Sequence, residues 1–337
     1  NLTNNGVINV NAGTLNYGSG TGSSTNTVNV SAGATWQTSG AGMTFGAGST
    51  FNSAGNIITS GGTASFLMPT ANFAQTGNLT VSAGTTTFTP DVAVPLISLS
   101  GGTLTLNGSA TAPTLTQTGG VLNGTGTLTL TGAGSTWSGS NGSWVGGGTV
   151  VVANGADLTF SGVFGGNSLA GRTLTVQAGG TATIVGEVEV DAGTNVINNA
   201  GTFNLAGAGR LSHSYNSGGA VTFNNTGTLV KSGAGSFTFG TSGGDINLTN
   251  NGVINVNAGT LNYGSGILVQ TGLVEVLAGA TFSKPGGFTN TLGGTLAGEG
   301  TFDVGIGNTL TNNGTVAPGR TSSDTTGALS ITGNYVQ

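Results

Sequence analysis

The same twenty residues occur twice in this chain, and this repeat constrains the fold more than any other feature. Segments 1–20 and 247–266 both read NLTNNGVINVNAGTLNYGSG. The similarity continues in register, because residues 28–36 align with residues 274–282 at the same offset of 246. Independent strands of similar composition would not keep such an offset, so we interpret 1–48 and 247–294 as a duplicated structural unit.

A short phrase recurs along the whole chain: two apolar residues separated by one residue, then a small pair such as Ala-Gly. Alternation of apolar residues predicts a strand with one buried face, and the small pair predicts a corner. The corner glycines recur at intervals of about one to two dozen residues. They are Gly13, Gly33, Gly48, Gly62, Gly84, Gly102, Gly120, Gly155, Gly179, Gly193, Gly259, Gly279 and Gly294.

The fold class that follows is all-β, a parallel β-solenoid. One coil of this length cannot bury its apolar side alone, but neighbouring coils cover it when they stack about 4.8 Å apart. Variable intervals favour a right-handed parallel β-helix, and we expect 1–337 to form one continuous segment, a single elongated rod. The alternative is a sandwich or barrel built from hairpins, which Asn-Gly pairs such as Asn107-Gly108 would favour.

Charge is scarce, which excludes several classes of function. Only 4% of the residues are charged, and the net charge is −5. A basic face of the kind that phosphate backbones require cannot form, so nucleic acid is not an expected partner. The chain contains no cysteine, which suits an exported bacterial protein. No apolar run approaches the length of a membrane span, so no transmembrane segment is expected.

Paired asparagines precede a glycine at three places in the chain. Asparagine tolerates left-handed backbone dihedrals, and its amide can bond the same side chain one coil away. We therefore predict structural asparagine ladders on the outside of the solenoid. Their members are Asn4, Asn5, Asn250, Asn251, Asn312 and Asn313.

An enzyme or a cation site on a β-helix requires clustered carboxylates, and the chain has one such concentration. Glu187, Glu189 and Asp191 alternate along one predicted strand. Three interpretations stay open: a solvated strand face relieved by nearby arginines, a weak metal site, or a catalytic site of a carbohydrate-active β-helix. The single histidine, His213, has no nearby acid in sequence and no nucleophile motif. No catalytic residue and no cofactor are predicted, and the chain is not expected to be an enzyme.

Two tryptophans are the candidate ligand-binding residues. Trp137 and Trp144 lie where the series of corner glycines lapses, between Gly120 and Gly155, which predicts a loop or a bulged coil. Sugars stack on such rings, so these residues are the best candidates for a glycan site. The alternative is that both rings fill a widened core.

Phrases near the end of the chain resemble those of a known group of bacterial surface proteins. Residues 293–302 read GGTLAGEGTF, residues 310–319 read LTNNGTVAPG and residues 329–335 read LSITGNY. They are similar to the late passenger region of autotransporters and filamentous-haemagglutinin-like proteins. Corners of the kind at residues 12–15 are similar to autotransporter-associated β-strand repeats.

This resemblance implies a right-handed β-helix at the outer surface of a Gram-negative-type bacterium, where such proteins commonly serve adhesion, aggregation or biofilm structure. We therefore expect an extracellular structural segment of a fibre or adhesin. Neither end of the sequence shows a polar cap, so we expect self-association by end-to-end stacking, or continuation into further coils. The alternative function is a carbohydrate-binding or carbohydrate-active β-helix, with a glycan surface as partner.

Overall fold

The computed structural model describes residues 1–163, 167–191, 193–213, 221–240, 245–319 and 327–337. The chain divides into two units, the first containing Asn1–Leu158 and the second containing Ser168–Gln337. Nearly all of the regular structure in the described residues is β-strand, and one 3-10 turn lies at Thr70–Asn72.

The first unit consists of short strands that follow one another around a coil. Strands three places apart pair in parallel, so that β1 pairs with β4, β2 with β5 and β3 with β6, and the long strands β9 and β11 take part in two columns of pairing. The strands are β1 (Leu2–Asn4), β2 (Ile8–Val10), β3 (Thr14–Tyr17), β4 (Thr21–Ser24), β5 (Thr27–Val30), β6 (Thr35–Thr38), β7 (Gly42–Phe45), β8 (Thr50–Ser53), β9 (Asn56–Phe66), β10 (Phe73–Gln75), β11 (Leu79–Phe88), β12 (Val92–Ala93), β13 (Leu96–Leu99), β14 (Thr103–Leu106), β15 (Ala110–Ala112), β16 (Thr114–Gln117), β17 (Gly120–Asn123), β18 (Thr127–Leu130), β19 (Ser135–Trp137), β20 (Gly142–Val145) and β21 (Thr149–Val152).

The second unit follows the same rule of parallel pairing, with β24 on β27, β25 on β28 and β26 on β29. Two strands contain residues of both units, β22 (Asp157–Phe160) and β23 (Asn167–Ala170). The remaining strands are β24 (Thr173–Val176), β25 (Thr181–Ile184), β26 (Glu187–Val190), β27 (Asn195–Asn199), β28 (Thr202–Ala206), β29 (Gly209–His213), β30 (Val221–Asn225), β31 (Thr228–Ser232), β32 (Ser236–Phe239), β33 (Ile246–Asn250), β34 (Val253–Val256), β35 (Thr260–Tyr263), β36 (Leu268–Gln270), β37 (Leu273–Val276), β38 (Thr281–Ser283), β39 (Phe288–Asn290), β40 (Thr295–Gly298), β41 (Thr301–Asp303), β42 (Thr309–Asn312), β43 (Thr315–Pro318), β44 (Ser330–Thr332) and β45 (Asn334–Val336).

The predicted parallel β-solenoid is confirmed. Within each unit the described strand ladders are parallel, and the antiparallel contact recorded in the described residues is an isolated bridge between Gly298 and Gly319. The hairpin alternative is therefore wrong. The hand of the coil and the single continuous rod stay predictions.

Burial alternates along the strands as the sequence pattern requires. In β5, Val28 and Val30 are buried, while the residues between and before them face outward. Aromatic rings stack from coil to coil in the core of the first unit, with Phe45 and Phe66 at 4.7 Å between centroids and Phe66 and Phe88 also at 4.7 Å. Each Å² of apolar surface that such a column buries stabilises the fold by about 25 cal/mol.

Glycine forms the corners because the backbone turns there through left-handed dihedrals. All of the corner glycines marked from the sequence have positive φ except Gly48 and Gly294. At Gly102 the backbone is also crowded: a Cβ atom would lie 2.4 Å from the carbonyl oxygen of Gly84 in the preceding coil. Coil stacking therefore demands glycine at this corner for two separate reasons.

The duplicated twenty residues form one coil in each unit, β1 to β3 in the first and β33 to β35 in the second. Their burial differs although their sequence does not. Leu15 is 37% exposed, whereas its counterpart Leu261 is 1% exposed and pairs with Phe237 of the preceding coil. Because the two coils share a sequence, the difference measures what a covering coil does.

Candidate functional site

The three acidic residues lie on the outward side of β26 and directly after it. Glu187 and Glu189 are outward residues of β26, and Asp191 follows the strand. Arg210 of the next coil donates from Nη2 to Oε2 of Glu187 at 3.1 Å, and Asp191 accepts a hydrogen bond from the Ser168 hydroxyl. Both partners of the ion pair are about one-third exposed, so the pair contributes at most about 1 kcal/mol.

The predicted metal site at Glu187, Glu189 and Asp191 is wrong. Among the described residues, no group of three or more His, Cys, Asp or Glu side chains is placed to hold a metal ion. The physical reason is spacing, because alternate residues on an extended strand lie about 6.5 Å apart and their carboxylates do not converge. Glu187 and Asp191 are bonded instead to Arg210 and Ser168.

The glycan site at the two tryptophans is also wrong. Trp137 and Trp144 are fully buried and stack on each other, with 4.3 Å between ring centroids and 10° between planes. The indole N–H of Trp144 donates to Oε1 of Gln117 at 2.6 Å. Each ring is therefore part of the core, and neither offers a face to a sugar in solvent.

Asparagine ladders exist, but the principal ones run inside the second unit rather than on its outside. Nδ2 of Asn199 donates to Oδ1 of Asn225 at 2.8 Å, Asn225 donates to Asn250 at 2.7 Å, and Asn250 donates to Oε1 of Gln270 at 2.8 Å. Each of these side chains ends a strand and is buried. The second hydrogen of each asparagine amide reaches a corner carbonyl, such as that of Val253 at 3.0 Å from Asn225.

A shorter ladder of the same kind joins Asn290, Asn312 and Gln337. The bonds are 2.7 Å and 3.0 Å long, and each again runs from the amide nitrogen of the earlier residue to the oxygen of the later one. In the first unit Asn4 is buried but bonds Ser24 at 3.0 Å instead of an asparagine. The ladders therefore have a direction along the chain.

The second asparagine of each pair behaves differently from the prediction. Asn5, Asn251 and Asn313 are exposed, and no described residue other than glycine has a positive φ. Asn5 accepts a hydrogen bond from the Thr25 hydroxyl at 3.1 Å, and Asn251 accepts one from the Thr271 hydroxyl. Glycine, and not asparagine, adopts the left-handed backbone conformation in the described residues, because its missing Cβ removes the steric cost.

An outward ladder that the sequence analysis missed lies on the first unit. Nδ2 of Asn29 donates to Oδ1 of Asn9 at 2.8 Å, and Nδ2 of Asn52 donates to Oδ1 of Asn29 at 3.1 Å. Each asparagine sits in register with the next on β2, β5 and β8. The available signal was the phrase Ile-Asn-Val in β2 and Val-Asn-Val in β5; Asn52 of β8 lies in Phe-Asn-Ser, which carries no such signal.

Buried cations are a second feature that the sequence analysis missed. Lys231 is fully buried, and its ammonium donates to the carbonyl oxygens of Ser232, Gly233 and Ala258 at 3.0, 2.7 and 3.2 Å. These bonds join the corners of two successive coils. Burial lowers the pKa of Lys231 and lowers the pKa of Arg172 to about 10.

Tyr263 has a buried hydroxyl that is held by backbone. Its oxygen lies 2.6 Å from the carbonyl oxygen of Ile246 and 2.9 Å from that of Ile267. The ammonium of Lys284 lies 5.2 Å from the ring centroid and donates to the carbonyl oxygen of Gly264 at 3.0 Å. Burial raises the pKa of Tyr263 well above its ordinary value, because the phenolate would lose its hydration.

This raised pKa predicts an alkaline loss of stability. The unfolded chain releases the Tyr263 proton at its ordinary pKa of 10.0 while the folded chain keeps it. Stability from this group is therefore complete below about pH 10, and above it the free energy of unfolding falls by about 1.4 kcal/mol per pH unit. Urea unfolding across this range should show a steeper alkaline loss for the natural chain than for Tyr263→Phe.

Tyr335→Phe is the matched control, because it removes the hydroxyl of a tyrosine that is 41% exposed. Parallel pH profiles for the natural chain and Tyr263→Phe would contradict a raised pKa at this residue. Lysine titrations are common to all three proteins, so the difference between profiles isolates the phenol.

No protein-family model, no curated protein and no solved structure matches the chain. Within the described ranges, no helix has the length and apolar character needed to cross a bilayer. His213, the single histidine, is buried at the end of β29.

Proposed function

We propose that this chain is a structural segment of an extracellular fibre or adhesin at the outer surface of a Gram-negative-type bacterium. The support is the β-solenoid fold together with the phrases at residues 293–337, which resemble autotransporter passengers and filamentous-haemagglutinin-like proteins. A stack of coils can grow by adding further coils without changing its core, which suits a protein whose task is reach.

One observation carries this proposal: coils of the same sequence occur in both units, and their inward apolar residues become inaccessible where another coil covers them. Ile8 and Leu15 of the first coil correspond to Ile254 and Leu261, which are both nearly inaccessible beneath the coil of β30 to β32. In the first coil Ile8 is half-buried and Leu15 is 37% exposed. A further coil stacked on the first one, whether it belongs to the same chain or to a second copy, would bury them as residues 221–240 bury their counterparts.

The direction of the interior ladders favours a head-to-tail arrangement. In every interior Asn–Asn and Asn–Gln bond described above, the earlier side chain donates and the later one accepts. Two copies stacked head to tail continue this direction, whereas head-to-head copies would place like groups against each other. Head-to-tail contacts that do not close into a ring produce open filaments.

The test is to cap the exposed coil with charge. Ile8→Lys combined with Leu15→Lys places two ammonium groups where a covering coil would sit, because their counterparts Ile254 and Leu261 are buried there, and burial of such groups is strongly unfavourable. We expect the natural chain to form concentration-dependent oligomers in sedimentation velocity and filaments in electron micrographs. The double variant should remain monomeric with an unchanged far-UV circular dichroism spectrum.

Leu292→Lys with Ile306→Lys is the matched control, because these residues are 87% and 95% exposed at corners within the stack of the second unit. This control should associate like the natural chain. Natural chain that stays monomeric at every concentration, or that associates equally well with the capped coil, would overturn stacking as the mode of assembly.

A further inference from the structure

The coils of residues 50–94 depart from the regular pattern of the first unit. The strands β9 and β11 run for eleven and ten residues, and the turn at Thr70–Asn72 interrupts the same coils. On the face that carries the outward asparagine ladder, β10 ends a four-stranded sheet and β12 begins another, so these two strands are not paired. Departures of this kind from an otherwise consistent pattern commonly mark functional positions.

A groove lies over this break in the sheet. Its central part has a volume of about 430 Å³. Two further hollows, of about 340 and 400 Å³, adjoin it on either side and share Ala74, Thr76, Ala93 and Thr111 with it. Together they extend from the coil of Asn29 to that of Thr131.

The groove exists because two short side chains interrupt the outward ladder. Along this face Asn29 and Asn52 are followed by Ala74 and Ala93, and Thr111 comes next. Asn52 donates through Nδ2 to the preceding asparagine, and no described residue donates to its Oδ1. The ladder therefore ends with an acceptor at the edge of the groove, beside a coil whose alanine offers no donor.

The opposite edge is held by Asp91. The backbone N–H of Asp91 donates to the Thr70 hydroxyl at 3.1 Å, and the backbone N–H of Ser109 donates to Oδ1 of Asp91 at 2.8 Å. The first bond holds the backbone of Asp91 and the second orients its exposed carboxylate. No described residue donates to Oδ2 of Asp91. A second exposed acceptor is thus oriented before any ligand arrives.

The floor of the groove is rigid and apolar. Phe73 packs against Phe51, Phe66 and Phe88, with centroid distances of 6.0, 5.6 and 5.5 Å. Gln75 lines the groove from a buried position; its amide nitrogen bonds the carbonyls of Gly55 and Gly77 at 2.9 Å each, and no donor reaches its Oε1. A packed floor with acceptors at both edges is the usual form of a preformed small-molecule site.

We propose that this groove binds a neutral oligosaccharide. Its polar lining consists of hydroxyl groups, amides and one carboxylate, with no cation among the lining residues, which disfavours phosphates and uronates. Sugar hydroxyls donate to the oriented acceptors Asn52 and Asp91, and the small apolar surface of Ala74, Ala93 and Pro95 receives the C–H face of a ring. This site goes beyond the fibre role and does not rest on it.

An extended peptide fits this place less well. A peptide that adds a strand needs an open sheet edge. On the neighbouring face β11 pairs with β9 on one side and with β13 on the other, so successive coils there are separated by the ordinary spacing of paired strands. The space between β10 and β12 is therefore too narrow for another strand, and a ligand must lie along the outside.

The experiment is a titration of the full chain with neutral hexasaccharides of glucose and of N-acetylglucosamine, with a galacturonate hexamer as the anionic comparison. Ala93→Phe fills the groove and should abolish binding. Asp91→Asn keeps the bond from Ser109 but removes the charge, and binding should weaken about tenfold because hydrogen bonds to charged groups are worth more than neutral ones. The galacturonate hexamer should not bind.

Val151→Phe is the control for a new aromatic residue on the same face outside the groove, and it should bind like the natural chain. The proposal fails if the natural chain binds none of the neutral hexasaccharides at millimolar concentration, or if both groove variants bind as well as Val151→Phe. Preference for the galacturonate hexamer would also overturn it. Oligomeric state is measured separately, so failure here and failure of stacking are distinguishable.

Discussion

Replacing Asn225 with alanine is expected to lower the free energy of unfolding by about 3 kcal/mol. Asn225 is fully buried and accepts from Asn199 while it donates to Asn250 and to the carbonyl oxygen of Val253. Alanine would leave the oxygens of Asn250 and Val253 without these donors in a place that water does not reach. The loss is larger than that of one ordinary hydrogen bond because each orphaned group keeps its full desolvation penalty.

The adjacent asparagine provides the matched control. Asn224 lies on the outward side of the same strand and donates to Asn198 at 2.9 Å. Since solvent can replace that bond, Asn224→Ala should change the free energy of unfolding by less than about 0.5 kcal/mol. Urea unfolding followed by circular dichroism, with amide exchange of β30 and β33, measures both variants. Equal losses for the two would contradict an interior ladder.

The second large effect is expected at the stacked corner of Gly102. Its φ of +64° already disfavours a side chain, and a Cβ atom would lie 2.4 Å from the carbonyl oxygen of Gly84 and 2.7 Å from the carbonyl carbon of Ala83. These are backbone atoms that cannot rotate away. Gly102→Ala should therefore cost about 2–5 kcal/mol, the sum of the left-handed backbone term and an overpacking term.

Gly33→Ala separates these two terms. Gly33 has a similar φ of +79°, but no atom lies within 4 Å of the Cβ position. This variant should lose only about 1–2 kcal/mol, the cost of the left-handed backbone alone. Thermal or urea unfolding of the two variants gives the comparison. If Gly102→Ala were no worse than Gly33→Ala, the coils would not be in the tight contact that the stacked corners require.

Parallel stacking could be predicted from the sequence because the evidence for it is local and repeated. Alternation at Val28 and Val30 requires a pleated strand with one buried side, and the following Gly33 supplies the corner. The exact duplication made stacking more plausible than hairpins, since neighbouring coils of similar sequence can cover each other. The alternation and the corners depend on neighbours along the chain, and the duplication is visible when two segments of the sequence are compared, so no distant contact was needed.

The candidate sites could not be predicted in the same way. The sequence places Trp137 and Trp144 near each other, but whether their rings face solvent or core depends on the strands around them. The same limit applies to Asn4 at the end of β1 and Asn5 directly after it, since the first of these identical side chains is buried and the second is exposed. Knowing the face requires the register, and register is set by the corners of the preceding coils.

The groove over β10 and β12 was beyond sequence reasoning for a related reason. Ala74, Ala93 and Asn52 carry no recognisable motif, and they become neighbours only when coils of unequal length are stacked. Lys231 is similar, because its sequence context gives no sign that its ammonium meets the carbonyl of Ala258 in the next coil.

The alternation of apolar residues predicts strands with one buried side, the recurrent small pairs predict glycine corners, and the duplication favours coils that stack in parallel. Only the three-dimensional arrangement of the coils shows which asparagines form the interior ladder, which apolar side chains are covered and where the sheet is interrupted. A side chain in a coil is buried by the coils on either side of it. The residues next to it in sequence do not fix how those coils are aligned with it.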